Sequence, residues 1–128
     1  MGKVTLEGTV FSGTGEGHKF IDLPWVKSQI EEKLGFTPYS GTLNINLTKE
    51  SMKQKKQLEN ANQLEVLPKE GYCIGILIKS CINSLDSAII IPSIPNYPRN
   101  VLEVIAPWYL RERLNIADNS KVVITVNI

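Results

Sequence analysis

The chain has 128 residues and carries 14 basic and 13 acidic side chains, so its formal net charge is +1 at neutral pH. This length is typical of one domain, and the near-neutral charge argues against a general nucleic-acid or membrane-surface binder, which gains affinity from an excess of basic residues. Because no segment approaches the roughly 20 apolar residues that span a bilayer and no signal-peptide pattern opens the chain, we expect a single cytoplasmic domain over residues 1–128, without a nucleic-acid or membrane partner.

The first part of the chain predicts a strand, a glycine-rich loop and a helix. Apolar and polar residues alternate from Lys3 to Val10, as in a half-buried strand. Three glycines between Gly13 and Gly17 interrupt this alternation. A helix over about residues 24–34 is then indicated by a proline suited to the first turn, by Gly35 at the C-cap, and by apolar residues at every fourth position, namely Val26, Ile30 and Leu34.

The remaining residues predict further strands and a second helix. Strand patterns cover about residues 42–47, 74–82, 87–91, 101–105 and 122–126. The polar segment 48–62 is read as a solvated loop or a weak helix, and Pro107 opens a second helix that carries Leu110 and Leu114. We therefore predict a mainly β fold with six or seven strands and two short helices. Many short strands with long excursions favour a closed or nearly closed barrel over an open sheet.

The glycine-rich segment Gly13-Thr14-Gly15-Glu16-Gly17-His18 is the first candidate site. Successive glycines allow backbone N–H groups to approach a phosphate closely, and the segment follows a strand, as a nucleotide-binding loop does. It is not a Walker loop, because no Gly-Lys-Ser/Thr sequence follows. A flexible loop without a ligand is the alternative.

Polar side chains on two predicted strands are further candidates. Thr42 and Asn44 are two residues apart, so both project from the same face, where their hard oxygens suit Mg²⁺. The alternative for this pair is a polar row that faces solvent. Glu103 lies between apolar neighbours on a short strand and could act as a general base, or it is the outward residue of an edge strand.

The segment Tyr109-Leu110-Arg111-Glu112, just after Pro107, is a candidate anion site. Amides at a helix N-terminus suit an anion, and Arg111 could add a charged clamp. A pair between Arg111 and a surface carboxylate is the alternative. Four aromatic residues offer flat surfaces on which a planar ligand could stack, namely Trp25, Trp108, Tyr39 and Tyr97. The alternative is that they belong to the core, as most aromatic side chains do.

Three segments, taken together and in this order, resemble a known family. They are Gly13-Thr14-Gly15-Glu16-Gly17, then Gly35-Phe36-Thr37-Pro38-Tyr39-Ser40-Gly41-Thr42-Leu43-Asn44, and finally Glu103-Val104-Ile105-Ala106-Pro107 with Leu110-Arg111-Glu112. These segments closely resemble the archaeal CTP-dependent riboflavin kinases, and the resemblance spans roughly residues 5–126. It implies a six-stranded cradle-loop barrel of the riboflavin-kinase type, and a catalytic domain without the winged-helix region that some relatives carry.

The resemblance also implies roles for individual residues. The nucleotide would be lined by Thr14, Gly15, Glu16, Gly17, His18 and Lys19, and by Tyr109, Leu110, Arg111 and Glu112. Thr42 and Asn44 would hold Mg²⁺, and Glu103 would be the catalytic residue, in contact with riboflavin near its reacting hydroxyl. Pro95 falls where the family has a flavin-contacting threonine, so either Ser93 replaces that hydroxyl through a shifted loop or this chain holds the flavin differently.

The function implied by the resemblance is transfer of the γ-phosphoryl group of CTP to the 5′-hydroxyl of riboflavin, which yields FMN and CDP. We expect Mg²⁺ as the cofactor and a monomer. The alternative from another class is a non-catalytic flavin- or nucleotide-binding barrel protein, which Pro95 favours and which Thr42, Asn44 and Glu103 speak against. A kinase that uses ATP and a DNA-binding regulator built on a related barrel are further alternatives.

Overall fold

The computed structural model describes residues 2–69 and 71–128. Within these residues lie seven strands, four α-helices and one 3-10 helix. In chain order they are β1 (Lys3–Phe11), α1 (Glu16–Ile21), α2 (Pro24–Leu34), β2 (Leu43–Leu47), α3 (Lys49–Gln54), the 3-10 helix (Lys55–Asn60), β3 (Gln63–Val66), β4 (Gly75–Ile82), β5 (Leu85–Pro92), β6 (Val101–Ile105), α4 (Leu110–Arg113) and β7 (Lys121–Asn127). None of the helices in this described part has both the length and the apolar character needed to cross a membrane.

Six of the strands form a closed antiparallel barrel. Their order around the barrel is β4-β5-β6-β2-β1-β7, and β7 returns to β4, where Thr125 lies opposite Cys81 and Ile124 opposite Ile82. The short strand β3 pairs with the first half of β4, outside this ring. Closure pairs strand edges that would otherwise be open. It confirms the mainly β, six-stranded barrel that the sequence predicts.

Alternating side chains fill the barrel interior. The buried inward residues on β1, β2, β6 and β7 include Val4, Leu6, Val10, Leu43, Ile45, Leu102, Val104, Val122 and Ile124. Because successive side chains on a strand point to opposite faces, Asn44 and Glu103 project from the outer surface of the barrel. The pairing register places Asn44 on β2 directly opposite Glu103 on β6.

A second core lies between the barrel and the first two helices. Buried residues of α1 and α2 pack against outward-facing residues of β4, β5 and β6; the cluster includes Ile21, Val26, Ile30, Leu77, Ala88, Ile90 and Ile105. This part of the barrel wall is therefore apolar on both faces. Each Å² of apolar surface buried here contributes roughly 25 cal/mol. The packing therefore stabilises α1, the helix that begins within the glycine-rich segment.

The helices agree with the sequence in one case and differ in others. α2 has the predicted bounds, and Gly35 ends it in a left-handed conformation with φ 79°. The second predicted helix, α4, begins only at Leu110, because Tyr109 before it is extended. α1 has six residues, too few to show an apolar period. In the polar segment 48–62 the structure has a helix, α3, which was one of the two predicted alternatives. Thr48 Oγ1 accepts a hydrogen bond from the N–H of Ser51 over 3.1 Å and caps the first turn of this helix.

Candidate active site

Glu103 lies at the centre of the candidate site, on the outer face of β6. Thr42, just before β2, donates its hydroxyl hydrogen to Glu103 Oε1 over 2.8 Å. The hydroxyl of Tyr97 donates to the other carboxylate oxygen, Oε2, over 2.5 Å. Each carboxylate oxygen has two lone pairs, so Glu103 keeps the capacity to accept a further O–H group.

Two glycines of the glycine-rich segment lie directly against the polar side chains of β2 and β6. A Cβ atom at Gly17 would lie 2.4 Å from Thr42 Oγ1 and 2.9 Å from Glu103 Oε1, and one at Gly13 would lie 2.5 Å from Asn44 Nδ2. Only glycine fits these positions without displacing its neighbours. These glycines allow the segment to lie directly against β2 and β6, which a merely flexible loop would not require.

The glycine-rich segment does not remain a loop to its end. α1 begins at Glu16, so Gly17, His18 and Lys19 are helical residues. Gly15 precedes the helix in a left-handed conformation with φ 89°. Glycine adopts this conformation at little cost, and here it turns the chain from β1 into α1.

Two clefts meet at Glu103. The first, which we call the apolar cleft, has a volume of about 360 Å³, and its walls include Phe20, Tyr72, Ile90, Pro92, Ile94 and Tyr97. The second, the polar cleft, has a volume of about 520 Å³, and its walls include Ser12, Thr14, Gly15, His18, Asn44 and Arg111. Five residues line both clefts, namely Glu16, Gly17, Thr42, Tyr97 and Glu103. Ligands in the two clefts would therefore meet at these five residues.

A smaller pocket adjoins the polar cleft. This tyrosine pocket has a volume of about 50 Å³, and its walls include Tyr39, Gly41, Ala106, Trp108, Tyr109 and Leu110. The rings of Tyr39 and Tyr109 are stacked, with centroids 5.1 Å apart and planes inclined by 20°. Ser40, Thr42 and Arg111 line both this pocket and the polar cleft. The polar cleft thus adjoins the apolar cleft at Glu103 and the tyrosine pocket at Arg111.

Arg111 is held in place at the wall of the polar cleft. Its Nη2 donates to Asp118 Oδ1 over 2.8 Å and to the carbonyl oxygen of Phe11 over 3.4 Å. Ser12 Oγ donates to Asp118 Oδ2 over 2.9 Å. These hydrogen bonds from Arg111 and Ser12, with the charge of Arg111, hold the pKa of Asp118 below its usual value. Arg111 therefore pairs with a surface carboxylate, which was one of its two predicted roles, and it also lines the polar cleft.

His18 belongs to a second hydrogen-bonded group beside the polar cleft. Its Nε2 lies 3.1 Å from Asp22 Oδ2, and its Nδ1 lies 2.9 Å from Ser40 Oγ. The Ser40 hydroxyl donates to Asp22 Oδ1 over 2.7 Å. This hydrogen bond, with His18 and Lys27 nearby, lowers the pKa of Asp22. The group ties α1 to the segment that precedes β2.

Most of the predicted nucleotide-binding residues line the polar cleft or the tyrosine pocket. The polar cleft contains Thr14, Gly15, Glu16, Gly17, His18 and Arg111, and the tyrosine pocket contains Tyr109 and Leu110. Lys19 lines the apolar cleft instead, with its ammonium 3.6 Å from Glu16. Glu112 is exposed and lines none of the three spaces.

The segment between β5 and β6 places Tyr97 at the site, and not Pro95. Pro95 lies in an exposed turn and lines neither cleft, and Ser93 is exposed as well. Tyr97 lines both clefts and contacts Glu103. In the sequence Tyr97 stands out only as one of four aromatic rings, because no periodicity in this proline-rich segment indicates which side chain points toward the site.

Thr42 and Asn44 supply oxygen atoms that suit Mg²⁺. The Thr42 hydroxyl donates its hydrogen to Glu103, so its lone pairs stay available to a cation. Asn44 lines the same polar cleft. Across residues 2–69 and 71–128, no group of three or more His, Cys, Asp or Glu side chains gathers into a metal-binding cluster. Few protein ligands are typical of Mg²⁺ sites in which phosphate oxygens and water complete the coordination.

Fold and site together define a small closed β-barrel domain in which an apolar cleft and a glycine-lined polar cleft meet at a carboxylate. The family model of the CTP-dependent riboflavin kinases, described as domain of unknown function DUF120, matches residues 10–126. The chain belongs to this family, which confirms the resemblance seen in the sequence.

Curated archaeal proteins show the same relationship. The chain is 39% identical to a riboflavin kinase of Archaeoglobus fulgidus over 129 residues, which cover 98% of this chain and 55% of that protein. It is 35% identical to a riboflavin kinase of Methanocorpusculum labreanum, with 94% of this chain and 56% of that protein covered. For a riboflavin kinase of Saccharolobus solfataricus the identity is 35%, with 98% and 75% covered. The chain therefore spans about half the length of the first two relatives.

Proposed function

We propose that the protein is a riboflavin kinase that transfers the γ-phosphoryl group of CTP to the 5′-hydroxyl of riboflavin and releases FMN and CDP. The observation that carries the proposal is the position of Glu103 at the junction of the apolar cleft and the polar cleft. Phosphoryl transfer requires an acceptor hydroxyl and a phosphate chain to meet in line. Family membership and the names of the curated relatives support the same reaction.

The apolar cleft suits the ring system of riboflavin. Its volume of about 360 Å³ falls in the range of small-molecule sites, roughly 300–1,000 Å³. Phe20, Tyr72 and Tyr97 offer aromatic surfaces along its walls, and such surfaces bind planar rings by stacking or edge contacts. With the ring system in this cleft, the ribityl chain would extend toward Thr42 and Glu103.

The polar cleft suits the phosphates of the nucleotide. At Gly15, which lines this cleft, a Cβ atom would meet nothing within 4 Å, so a phosphate can approach the backbone closely. Arg111 adds a cation whose guanidinium has five N–H donors, and it therefore keeps donors beyond those used by Asp118 and Phe11. This combination of bare backbone and a fixed cation is typical of phosphate recognition.

The tyrosine pocket suits the base of the nucleotide. Its volume of about 50 Å³ admits only part of a ring. The stacked rings of Tyr39 and Tyr109 form a flat wall beside it, against which a base could stack. The family name supports CTP as the donor in preference to ATP.

In the proposed reaction the 5′-oxygen of riboflavin attacks the γ-phosphorus. A P–O bond forms to that oxygen while the bond from the γ-phosphorus to the β–γ bridging oxygen breaks, and its electron pair leaves with CDP. Glu103 orients the attacking hydroxyl and accepts its proton at a carboxylate oxygen. Thr42 and Tyr97 hold the two oxygens of Glu103, so the proton acceptor is oriented before the substrates bind.

Mg²⁺ is the proposed cofactor, and when bound it would neutralise charge on the phosphate oxygens. Thr42 and Asn44 are the residues that would hold it. Thr42 would then serve two groups, since its hydrogen is donated to Glu103 and its lone pairs remain for the cation. This shared hydroxyl would couple the orientation of the carboxylate to the binding of the metal.

A product assay tests the proposed reaction. Riboflavin, Mg²⁺ and either CTP or ATP are incubated with the protein, and FMN and nucleoside diphosphate are quantified together. We expect equal amounts of FMN and CDP with CTP, and no FMN with ATP. FMN formed with ATP but not with CTP would refute the choice of donor. Flavin binding without FMN from either nucleotide would favour the non-catalytic barrel protein.

Glu103→Gln is the matched variant for this assay. It keeps the shape of the side chain but removes the proton acceptor, so we expect turnover to fall by about 10²- to 10⁴-fold. Riboflavin should still bind, as measured by the quenching of its fluorescence. Glu65→Gln makes the same chemical change at an exposed position of β3 and should leave turnover unchanged. Normal turnover in Glu103→Gln would remove Glu103 from the mechanism.

A further inference from the structure

We propose that Tyr97 is a positioning residue for the phosphoryl transfer, whose hydroxyl holds the Glu103 carboxylate in the orientation that receives the substrate hydroxyl. The inference rests on the proposed function, because Tyr97 acts through Glu103. It concerns a position that the family resemblance did not single out, since the resemblance pointed to Pro95 in the same segment.

The hydrogen bond between Tyr97 and Glu103 is the first observation. The phenolic hydroxyl donates to Glu103 Oε2 over 2.5 Å, and both side chains are partly buried. Burial, the hydrogen bond to Glu103 and the charge of that carboxylate raise the pKa of Tyr97 well above its ordinary value of 10.0. The phenol therefore stays protonated throughout the neutral range and acts as a donor to Glu103.

The second observation is that the carboxylate is held from both sides. Thr42 donates to Oε1 and Tyr97 to Oε2, and these donors come from two different parts of the chain. Rotation of the carboxylate would break both hydrogen bonds. One lone pair on each oxygen remains for a substrate hydroxyl, so the two donors fix the direction from which that hydroxyl can bind.

Lys55 supports Tyr97 from the side of the 3-10 helix. Its ammonium donates to the carbonyl oxygens of Val101 and Arg99, over 3.1 Å and 3.4 Å. The same ammonium lies 5.8 Å from the centroid of the Tyr97 ring, within the distance of a cation–π contact. Lys55 thus attaches the irregular segment that carries Tyr97 to the 3-10 helix. A single tyrosine in a proline-rich loop would otherwise be poorly oriented.

Tyr97 also lies where the substrates must meet. It lines both the apolar cleft and the polar cleft, as Glu103 and Thr42 do. A tyrosine that only filled space would need neither the hydrogen bond to Glu103 nor a place in both clefts. The geometry therefore connects the Tyr97 hydroxyl to the reacting centre, and its ring to the wall between the clefts.

Tyr97→Phe tests this role, because it removes the hydroxyl and keeps the ring. We expect kcat to fall by about 10- to 100-fold, the size of effect expected for a lost hydrogen bond to a charged group. The dissociation constant of riboflavin, measured by fluorescence quenching, should change by less than about threefold, since the wall of the cleft is retained. Thr37→Val removes a hydroxyl that donates to a different carboxylate, Glu31 Oε1, over 3.0 Å and outside both clefts, and it should leave kcat near the wild-type value.

A second measurement separates positioning from a structural role. In a Glu103→Gln background the carboxylate is absent, so adding Tyr97→Phe should lower the residual rate by less than about threefold. A purely structural tyrosine would give the same fall in both backgrounds, and this would overturn the proposal. An active wild-type protein with an unaffected Tyr97→Phe variant would overturn the positioning role alone. A wild-type protein that makes no FMN would refute the proposed function and this role with it.

Discussion

Gly17 on α1 approaches Thr42 so closely that a Cβ atom at position 17 would lie 2.4 Å from Thr42 Oγ1. The same atom would lie 2.9 Å from Glu103 Oε1. Any side chain at this position must therefore displace the hydroxyl that donates to Glu103. Gly17 therefore links the placement of α1 to the orientation of the Glu103 carboxylate, although α1 and β6 are far apart in the sequence.

Gly17→Ala should disrupt the site more than the fold. The added methyl group would push Thr42 away from Glu103, and a displacement near 1 Å can cost roughly 100-fold in rate. We expect kcat/KM to fall by about that factor in steady-state assays. The free energy of unfolding, measured with urea, should fall by about 1–3 kcal/mol, as is usual for an overpacked site.

Gly35→Ala is the control for this prediction. Gly35 has a positive φ, 79°, and a Cβ atom there would meet nothing within 4 Å. The substitution strains the helix end by about 1–2 kcal/mol and leaves the clefts untouched. An equal loss of activity in both variants would show that the effect of Gly17→Ala comes from lowered stability and not from contact with Thr42.

Several features of the fold and site could be predicted because they follow from the side-chain period of strands. Alternation along β1, β2 and β6 assigns Val10, Ile45 and Leu102 to the interior, and the same alternation places Asn44 and Glu103 on the outer face. Pro24 and Gly35 mark the ends of α2 by well-understood backbone preferences. These are local rules, and the structure confirms the elements that depend on them.

Other features depend on contacts that no local pattern encodes. β3 has four residues, of which only Val66 is buried, so its alternation is too short to detect. Asp118 meets Arg111 and Ser12 only because the turn before β7 lies beside the end of β1. The position of Tyr97 depends on the path of an irregular segment, which the sequence does not specify.

Asn44→Ala should raise the Mg²⁺ requirement of the proposed kinase reaction. If Asn44 helps to hold the cation in the polar cleft, its loss should raise the Mg²⁺ concentration for half-maximal activity at least about tenfold, because even the loss of a residue that only orients a metal ligand typically costs roughly 10- to 100-fold in metal affinity. Asn46→Ala is the matched control, since Asn46 projects from the same face of β2 but hydrogen-bonds to Asn100 over 2.9 Å and lies outside the polar cleft. Identical Mg²⁺ titrations for the two variants would argue against Asn44 as a ligand.

Asp118→Asn should lower stability in a pH-dependent way. Arg111 and Ser12 lower the pKa of Asp118, so the folded protein holds the charged form more strongly than the unfolded chain does. The resulting stabilisation is present above the ordinary aspartate pKa, about 3.9, and is lost as the pH falls through the lowered value. In urea titrations the difference between variant and wild type should be present at neutral pH and shrink in acid. A difference that stays constant with pH would contradict this account.

Lys55→Met should produce a deficit that grows toward alkaline pH. Burial lowers the pKa of Lys55 from its ordinary value of 10.5, so between the lowered value and 10.5 the unfolded chain binds a proton that the folded protein has lost. Wild-type stability therefore gains as the pH rises through this window, and methionine, which does not titrate, cannot share the gain. The variant also loses the hydrogen bonds to Val101 and Arg99, so it should be less stable at neutral pH as well.

Lys56→Met is the control for Lys55, because it makes the same change at the exposed neighbouring position. It should alter the free energy of unfolding by no more than about 0.5 kcal/mol. Lys55→Met should also lower kcat, since the segment that carries Tyr97 loses its attachment to the 3-10 helix. Normal kcat combined with lowered stability would restrict Lys55 to a structural role, and the orientation of Tyr97 would then depend on its hydrogen bond to Glu103 alone.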